Sequence, residues 1–215
     1  MDQTTTAEAE AEVAQLVSEL IAIDSSNFGN DEGPGEAAAA DYVQQRLLEV
    51  GLDSERFSTT SDRRQGVYLR IPGKNPERKA LLLHGHLDVV PAPEPDWVHP
   101  AFSGVIDDAG MLWGRGAVDM KDMDGMMLAV IRQWARAGVM PDRDIVALWL
   151  PDEEAGGTHG SGWLVDNRKD MFRGVSDAIG EVGGFSVTLR DDLRMYPIQT
   201  AEKGIAWLRL IAEGT

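Results

Sequence analysis

The sequence contains no cysteine among its 215 residues. Disulfide bonds, thiolate metal ligands and a cysteine nucleophile are therefore excluded, and any metal site must be built from histidine and carboxylate side chains. The sequence also lacks an apolar run that approaches the length of a membrane-spanning helix. The first residues, MDQTTTAEAEAEV, have neither a basic region nor an apolar core, so we expect no secretory signal and a cytoplasmic location.

Positive charge is scarce in this chain. Lysine and arginine total 20 against 36 aspartate and glutamate residues, which gives a formal net charge of -16. Because nucleic acids and anionic membranes are bound by basic surfaces, this balance argues against both as partners. Hydrophobic residues make up 43% of the chain, which is enough for one sizeable domain, or for one domain and part of another.

Helix and strand patterns alternate along the chain. Helical spacing of apolar residues predicts helices from about residue 4 to 24, over 36–50 and 121–137, and near 161–167. Short apolar runs predict strands at 55–58, 67–71, 80–91, 111–113, 144–150, 178–182 and 195–200. This order predicts an α/β fold with a largely parallel mixed sheet and helices on both faces.

The stretch ALLLHGHLDVVP at 80–91 carries the first candidate site residues. An apolar run of strand length leads to His86 and Asp88 at its carboxyl end, which is where open α/β sheets bind ligands. Residues two apart in a strand share a face, so the Asp88 carboxylate is placed to orient the His86 imidazole. We expect His84, on the opposite face, to be structural.

Further carboxylates follow apolar strands beside glycines: Asp119 in WGRGAVDMKD, Asp152, Glu153 and Glu154 in PDEEAGG, and Glu181 in IGEVGG. Several carboxylates around one imidazole repel one another unless a cation neutralises them. Without sulfur ligands, zinc is the favoured metal, and cobalt or manganese is possible. One carboxylate can bridge two metal ions. The four positive charges of two divalent ions also balance the four negative charges of three carboxylates and a hydroxide, so we expect two ions.

The motifs HGHLDVVP, WGRGAVDMKD and PDEEAGG occur in this order, with GEVGG beyond them. Together they resemble the zinc metallopeptidase and amidohydrolase family that includes carboxypeptidase G, acetylornithine deacetylase, succinyl-diaminopimelate desuccinylase and aminoacylase. The resemblance covers nearly the whole chain. It implies a zinc-peptidase-like catalytic domain that cleaves an amide bond in a small peptide or an N-acyl amino acid, with a hydroxide bound by two zinc ions.

The resemblance also implies a role for each motif residue. His86 would bind one ion, Asp119 would bridge both ions, and Glu181 would complete the ion held by His86. Glu154 would bind the second ion, and Glu153 would be the general base. Asp88 would orient His86, as the strand geometry also suggests, and Asp152 would have a supporting role.

Family members carry a further histidine ligand late in the catalytic domain and an inserted lid through which they dimerise. The resemblance therefore implies that residues 1–202 are the amino-terminal part of the metal-dependent catalytic domain. Residues 203–215 would be the first strand of an α+β lid and dimerisation domain. We expect a protein about twice as long that forms a homodimer, and little or no activity from these residues alone.

Other functions remain open at this point. One is a non-catalytic homologue that binds a metal or a peptide, although Glu153, implied to be a base rather than a ligand, argues against it. Another is a different two-zinc aminopeptidase. The two enzymes would be distinguished by whether substrates with a free amino terminus or with an acylated one are cleaved. A serine hydrolase is disfavoured because HGSGW around Ser161 lacks the first glycine of a nucleophile elbow. A dinucleotide fingerprint fails because Asp119 occupies the place of its last glycine.

Overall fold

The computed structural model describes residues 3–181, 186–197, 208, 210–212 and 214. It forms two compact units, residues 1–181 and residues 182–215. The first unit is a five-stranded mixed sheet flanked by helices. The described part of the second contains a two-stranded antiparallel ribbon of β6 (Val187–Arg190) and β7 (Leu193–Met195). No helix within the described residues is both long and apolar enough to cross a membrane.

Most helices and strands of the first unit lie close to the ranges that the sequence predicts, but the strand predicted at 80–91 ends at His86. The helices are α1 (Gln3–Ile21), α2 (Ala37–Leu48), α3 (Lys121–Arg136) and α4 (Ser161–Asn167). The strands are β1 (Glu55–Ser58), β2 (Gln65–Ile71), β3 (Ala80–His86), β4 (Ile145–Leu150) and β5 (Val175–Ile179).

The sheet has the strand order β1-β2-β4-β3-β5. Strand β3 runs parallel to both β4 and β5, whereas β2 runs antiparallel to β1 and β4. The predicted mixed sheet is therefore confirmed, with parallel pairing concentrated around β3. Because β3 and β4 are parallel neighbours that are joined through α3, His86 and Leu150 end their strands side by side. The loops that follow both strands start at one edge of the sheet.

Both faces of the sheet are covered, as the alternating pattern predicts. Every residue of β4 is buried, and its side chains alternate between two apolar cores. Ala147 and Trp149 pack in the core that contains α1, α2 and α3. Val146, Leu148 and Leu150 pack in the core that contains α4 and the short turn after it. This central strand therefore provides a rigid base for the loop that follows it.

Several predicted elements differ from the structure. Helix α1 ends at Ile21 rather than near residue 24, because the Asp24 side chain accepts a hydrogen bond from the main chain of Ser26 and starts a turn there. Residues 111–113 form only a single bridge, between Leu112 and Ile106. The main-chain N–H groups of Asp107 and Trp113 donate to Met111 and Val105 on either side of the bridge, and the Asp107 carboxylate accepts the main-chain N–H of Met111 at 2.9 Å.

The strand predicted at 178–182 lies earlier, at Val175–Ile179. It pairs with β3 through Ala80 to Leu83, so Glu181 lies beyond the end of the strand rather than within it. Of the strand predicted at 195–200, only Met195 belongs to a described strand, β7 (Leu193–Met195), and residues 196 and 197 do not. Residues 198–200 lie outside the described residues. The predicted boundary at residue 203 and the strand beyond it also lie almost entirely outside them.

Candidate metal centre

His86 ends β3 and has a buried side chain that is oriented by the main chain. Its Nδ1 lies 2.8 Å from the main-chain oxygen of Asp88. Because a carbonyl oxygen can only accept a hydrogen bond, Nδ1 must carry the hydrogen. The other ring nitrogen, Nε2, is therefore the atom that can bind either a proton or a metal ion.

Three carboxylates surround this nitrogen. The distances from His86 Nε2 are 3.0 Å to Asp119 Oδ1, 3.7 Å to Glu153 Oε2 and 3.8 Å to Glu181 Oε2. Burial by itself lowers the pKa of His86, but the hydrogen bond with Asp119 and the nearby negative charges raise it to about 10. The site thus attracts a cation strongly.

Donor atoms of His86, Asp119 and Glu181 lie within 4.8 Å of one another. These are the three residues predicted as the ligands of one ion, and the fold brings them together from the ends of β3 and β5 and from the start of α3. The glycine before Glu181 permits this approach. At Gly180 an added Cβ would lie 2.3 Å from Nε2 of His84, so only a glycine fits between that imidazole and the loop.

Glu153 and Glu154 occupy the loop after β4. Glu154 is half-buried, and its Oε1 is a buried atom without a hydrogen-bond partner among the described residues. Burial, followed by the negative charge of Asp119, raises the pKa of Glu154 to about 7. A cation beside this oxygen would satisfy it and remove the repulsion. The arrangement therefore fits a centre that holds a divalent cation.

The carboxylate of Asp88 makes different contacts from those that we expected. Its main-chain oxygen, not its carboxylate, accepts the hydrogen bond of His86, and the carboxylate Oδ1 is 3.6 Å from Nδ1. The carboxylate instead accepts the main-chain N–H groups of Glu153 and Glu154, both at 3.0 Å. The reason is that the loop after β4 turns over the end of β3 and directs its N–H groups towards this side chain. Asp88 thus contacts His86 through its main-chain oxygen and the loop of Glu153 and Glu154 through its carboxylate.

Asp152, predicted to support the site, is buried next to Asp88. Its main chain has a φ of 67°, a conformation that turns the loop sharply after β4. Its Oδ2 accepts the main-chain N–H of His159 at 2.7 Å. Its Oδ1 accepts a hydrogen bond from Asn27 at 3.1 Å. The loop that carries Glu153 is therefore anchored at its first residue and at its end.

Sequence reasoning missed three buried polar residues behind this site: Asn27, Glu36 and Arg64. They lie in the loop after α1, before α2 and in the turn between β1 and β2. Each belongs to a stretch whose composition is typical of solvent-exposed loops. No local signal identifies them, because their partners are far away in the sequence.

Comparison with known proteins identifies the family and several relatives of this chain. Residues 82–204 match peptidase family M20/M25/M40. Aminoacylase-1 of Sus scrofa is 30% identical over 183 residues, which are 84% of this chain and 43% of that protein. Succinyl-diaminopimelate desuccinylase of Methylorubrum populi is 40% identical over 139 residues, which are 62% of this chain and 35% of that protein. The chain therefore spans less than half the length of these relatives.

Solved structures share the fold. Human carnosine dipeptidase 1 superimposes with a TM-score of 0.68 at 20% identity, over 83% of this chain and 39% of that one. Since the family match itself extends over more than half of the residues, this chain belongs to peptidase family M20/M25/M40.

Proposed function

We propose that the complete protein is a metal-dependent hydrolase that cleaves an amide bond in a dipeptide, at the carboxyl end of a peptide or in an N-acyl amino acid. The observation that carries this proposal is the cluster of His86, Asp119 and Glu181, with Glu153 next to the same imidazole nitrogen. The names of the relatives support the substrate class, since one is an aminoacylase and another a dipeptidase.

Two metal ions, zinc in the first instance and cobalt or manganese as alternatives, fit this donor set. His86, Asp119 and Glu181 would hold one ion, and Asp119 and Glu154 would contribute to the second. When bound, such ions act as Lewis acids that lower the pKa of water and stabilise the negative charge that develops on the amide oxygen. Their oxygen and imidazole ligands suit all three metals.

Glu153 is the residue that we assign to proton transfer. Its carboxylate is about half exposed and lies 3.7 Å from His86 Nε2, so it borders the cluster on a side that substrate can reach. Its main chain is held by the Asp88 carboxylate, which limits where the side chain can go. From this position it would take a proton from the attacking water and return it to the departing amine.

The proposal is tested on the complete polypeptide by measuring bound metal and amide hydrolysis together. Substrates should include dipeptides, N-acyl amino acids and peptides with a free amino terminus. We expect Glu153→Gln to keep its metal and to lose about 10²- to 10⁴-fold in kcat, because general acid and base catalysis contributes about that much. Glu77→Gln makes the same chemical change at an exposed site and should leave kcat unchanged.

Absence of bound metal in the wild-type protein, or full activity of Glu153→Gln, would contradict this mechanism. Removal of amino-terminal residues from longer peptides, without cleavage of N-acyl amino acids, would instead favour an aminopeptidase of the same fold. Dimerisation through a lid domain and a cytoplasmic location stay predictions, which light scattering and cell fractionation of the complete protein would test.

A further inference from the structure

Asn27 lies at the centre of a buried hydrogen-bond network behind the carboxylates. It is 4% exposed, and its side-chain Nδ2 donates to Asp88 Oδ2 at 2.8 Å and to Asp152 Oδ1 at 3.1 Å. Its Oδ1 accepts from Arg64 Nη2 at 2.9 Å and from the main chain of Gly29 at 3.0 Å. Both hydrogens and both lone pairs of the amide are therefore used.

Arg64 determines which way this amide points. Its side chain is 1% exposed and is held by Glu36, whose Oε1 accepts from Nη1 at 2.6 Å, and by Asp31, whose Oδ1 accepts from Nε at 3.1 Å. A guanidinium group can only donate hydrogen bonds, so it must face the oxygen of Asn27. The NH₂ group is consequently directed at Asp88 and Asp152.

The network ends on the main chain of the residues that we assign to catalysis and metal binding. Asp88 accepts from Asn27 with Oδ2, and the same oxygen accepts the N–H of Glu154, while Oδ1 accepts the N–H of Glu153. Asp88 and Asp152 are both buried and share one NH₂ group, so their repulsion is reduced by that group and by the nearby guanidinium. Removing the shared donor would increase this repulsion and leave Asp88 and Asp152 hydrogen-bonded, among the described residues, only to the main-chain N–H groups that they accept.

A purely structural role for Asn27, in which it only satisfies buried acceptors, makes a different prediction. In that case its loss would lower the stability of the whole domain and leave the geometry of the site in the folded protein unchanged. Its direct contacts argue otherwise, because both acceptors of its NH₂ group belong to the segments that carry His86, Glu153 and Glu154.

We propose that Asn27, oriented by Arg64, is a positioning residue that fixes the Asp88 carboxylate and through it the main chain of Glu153 and Glu154. The proposal rests on the function proposed above, which assigns Glu153 as the base and Glu154 as a ligand. Asn27→Asp is the sharpest test, because it keeps the shape of the side chain but replaces the NH₂ donor by an acceptor beside two carboxylates. Asn75→Asp makes the same change in an exposed turn and serves as the matched control.

The first measurement uses the metal-free complete protein and does not depend on activity. In Asn27→Asp, hydrogen exchange of the Glu153 and Glu154 amides should become at least tenfold faster, because their acceptor is no longer held in place. Exchange within β4 should be unchanged. In Asn75→Asp, both segments should exchange as in the wild type. Equal exchange of Glu153 and Glu154 in Asn27→Asp and the wild type would overturn the proposal.

The second measurement compares kinetics and metal affinity. In Asn27→Asp we expect kcat and the affinity for the more weakly bound ion to fall about 10- to 100-fold, the usual effect of losing a partner that orients a metal site, with KM changed much less. Arg64→Lys keeps the charge but not the fork that spans Glu36 and Asn27, and it should change the same quantities in the same direction. If Asn27→Asp fails to fold, Arg64→Lys decides the question by the same two measurements.

The results separate the two proposals. If Glu153→Gln is inactive while Asn27→Asp and Arg64→Lys match the wild type in amide exchange, kcat and metal affinity, only the positioning role is wrong. A lower unfolding temperature with all three quantities unchanged also contradicts it, since that is the structural outcome. If the wild-type protein binds no metal and Glu153→Gln is as active as the wild type, both proposals fail.

Discussion

At Glu36, immediately before α2, burial and ion pairing have opposite effects on the pKa of the side chain. Its side chain is 0% exposed. Its Oε1 accepts a hydrogen bond from Arg64 at 2.6 Å, but Oε2 has no hydrogen-bond partner within the described part of the chain. Burial, reinforced by the negative charge of Asp88, raises the pKa of Glu36 to about 7 although Arg64 opposes the increase.

The sign and size of the effect on stability follow from this pKa. The ordinary value is 4.5, so between about pH 4.5 and 7 the folded protein holds a proton that the unfolded chain has lost. The contribution of Glu36 to the free energy of unfolding should therefore be highest below pH 4.5 and should decrease as the pH rises through about 7. Each pH unit in this window corresponds to about 1.4 kcal/mol. The loss attributable to Glu36 is therefore at most about 3 kcal/mol.

Glu36→Gln removes this titration and keeps a side chain of the same shape. We expect urea unfolding of the metal-free protein at pH 5, 6, 7 and 8 to show the variant gaining about 2 kcal/mol on the wild type across that range. The surface variant Glu77→Gln should stay within about 0.5 kcal/mol of the wild type at every pH. If the difference in stability between Glu36→Gln and the wild type is independent of pH, folding does not raise the pKa of Glu36. If the variant instead loses stability as the pH rises, attraction to Arg64 outweighs burial.

Three further predictions concern the core and the metal. Lys121 is fully buried and donates to two main-chain oxygens at the end of α1, at 2.7 and 3.0 Å. Lys121→Met should lower the free energy of unfolding by about 2 to 4 kcal/mol, whereas exposed Lys79→Met should change it by less than about 0.5 kcal/mol. Equal effects of the two substitutions in urea unfolding would show that the buried hydrogen bonds of Lys121 do not stabilise the fold. At Gly85 an added Cβ would lie 2.3 Å from Oδ1 of buried Asp124, so Gly85→Ala should cost about 1 to 3 kcal/mol. Adding Asp124→Ala should recover part of that cost, and strict additivity in the double-mutant cycle would argue against the clash. Removal of bound metal with a chelator should lower the unfolding temperature and zinc should restore it, because a ligand of the folded state stabilises that state; an unchanged unfolding temperature would count against a metal centre.

The sequence by itself predicted the elements and the edge of the sheet where the candidate site lies. An apolar run of strand length before His86 and another before Glu153 carry that information locally, because neighbouring parallel strands end at the same edge. The order of the motifs then indicated the family, which the comparisons confirm. These inferences need only residue spacing, so one chain was sufficient for them.

Only the tertiary structure decided which groups contact one another. It assigned the Asp88 carboxylate to the N–H groups of Glu153 and Glu154, although spacing had suggested His86. It also buried Asn27 in hydrogen bonds with Arg64, which is 37 residues away in the sequence, and with Asp152, which is 125 residues away. Hydrogen bonds between such distant residues depend on how loops from different strands pack. The stretch of sequence that carries such a buried donor has the composition of an ordinary turn. Periodicity describes which side of a strand or helix is apolar, whereas the partner of a buried polar group is set by the fold as a whole.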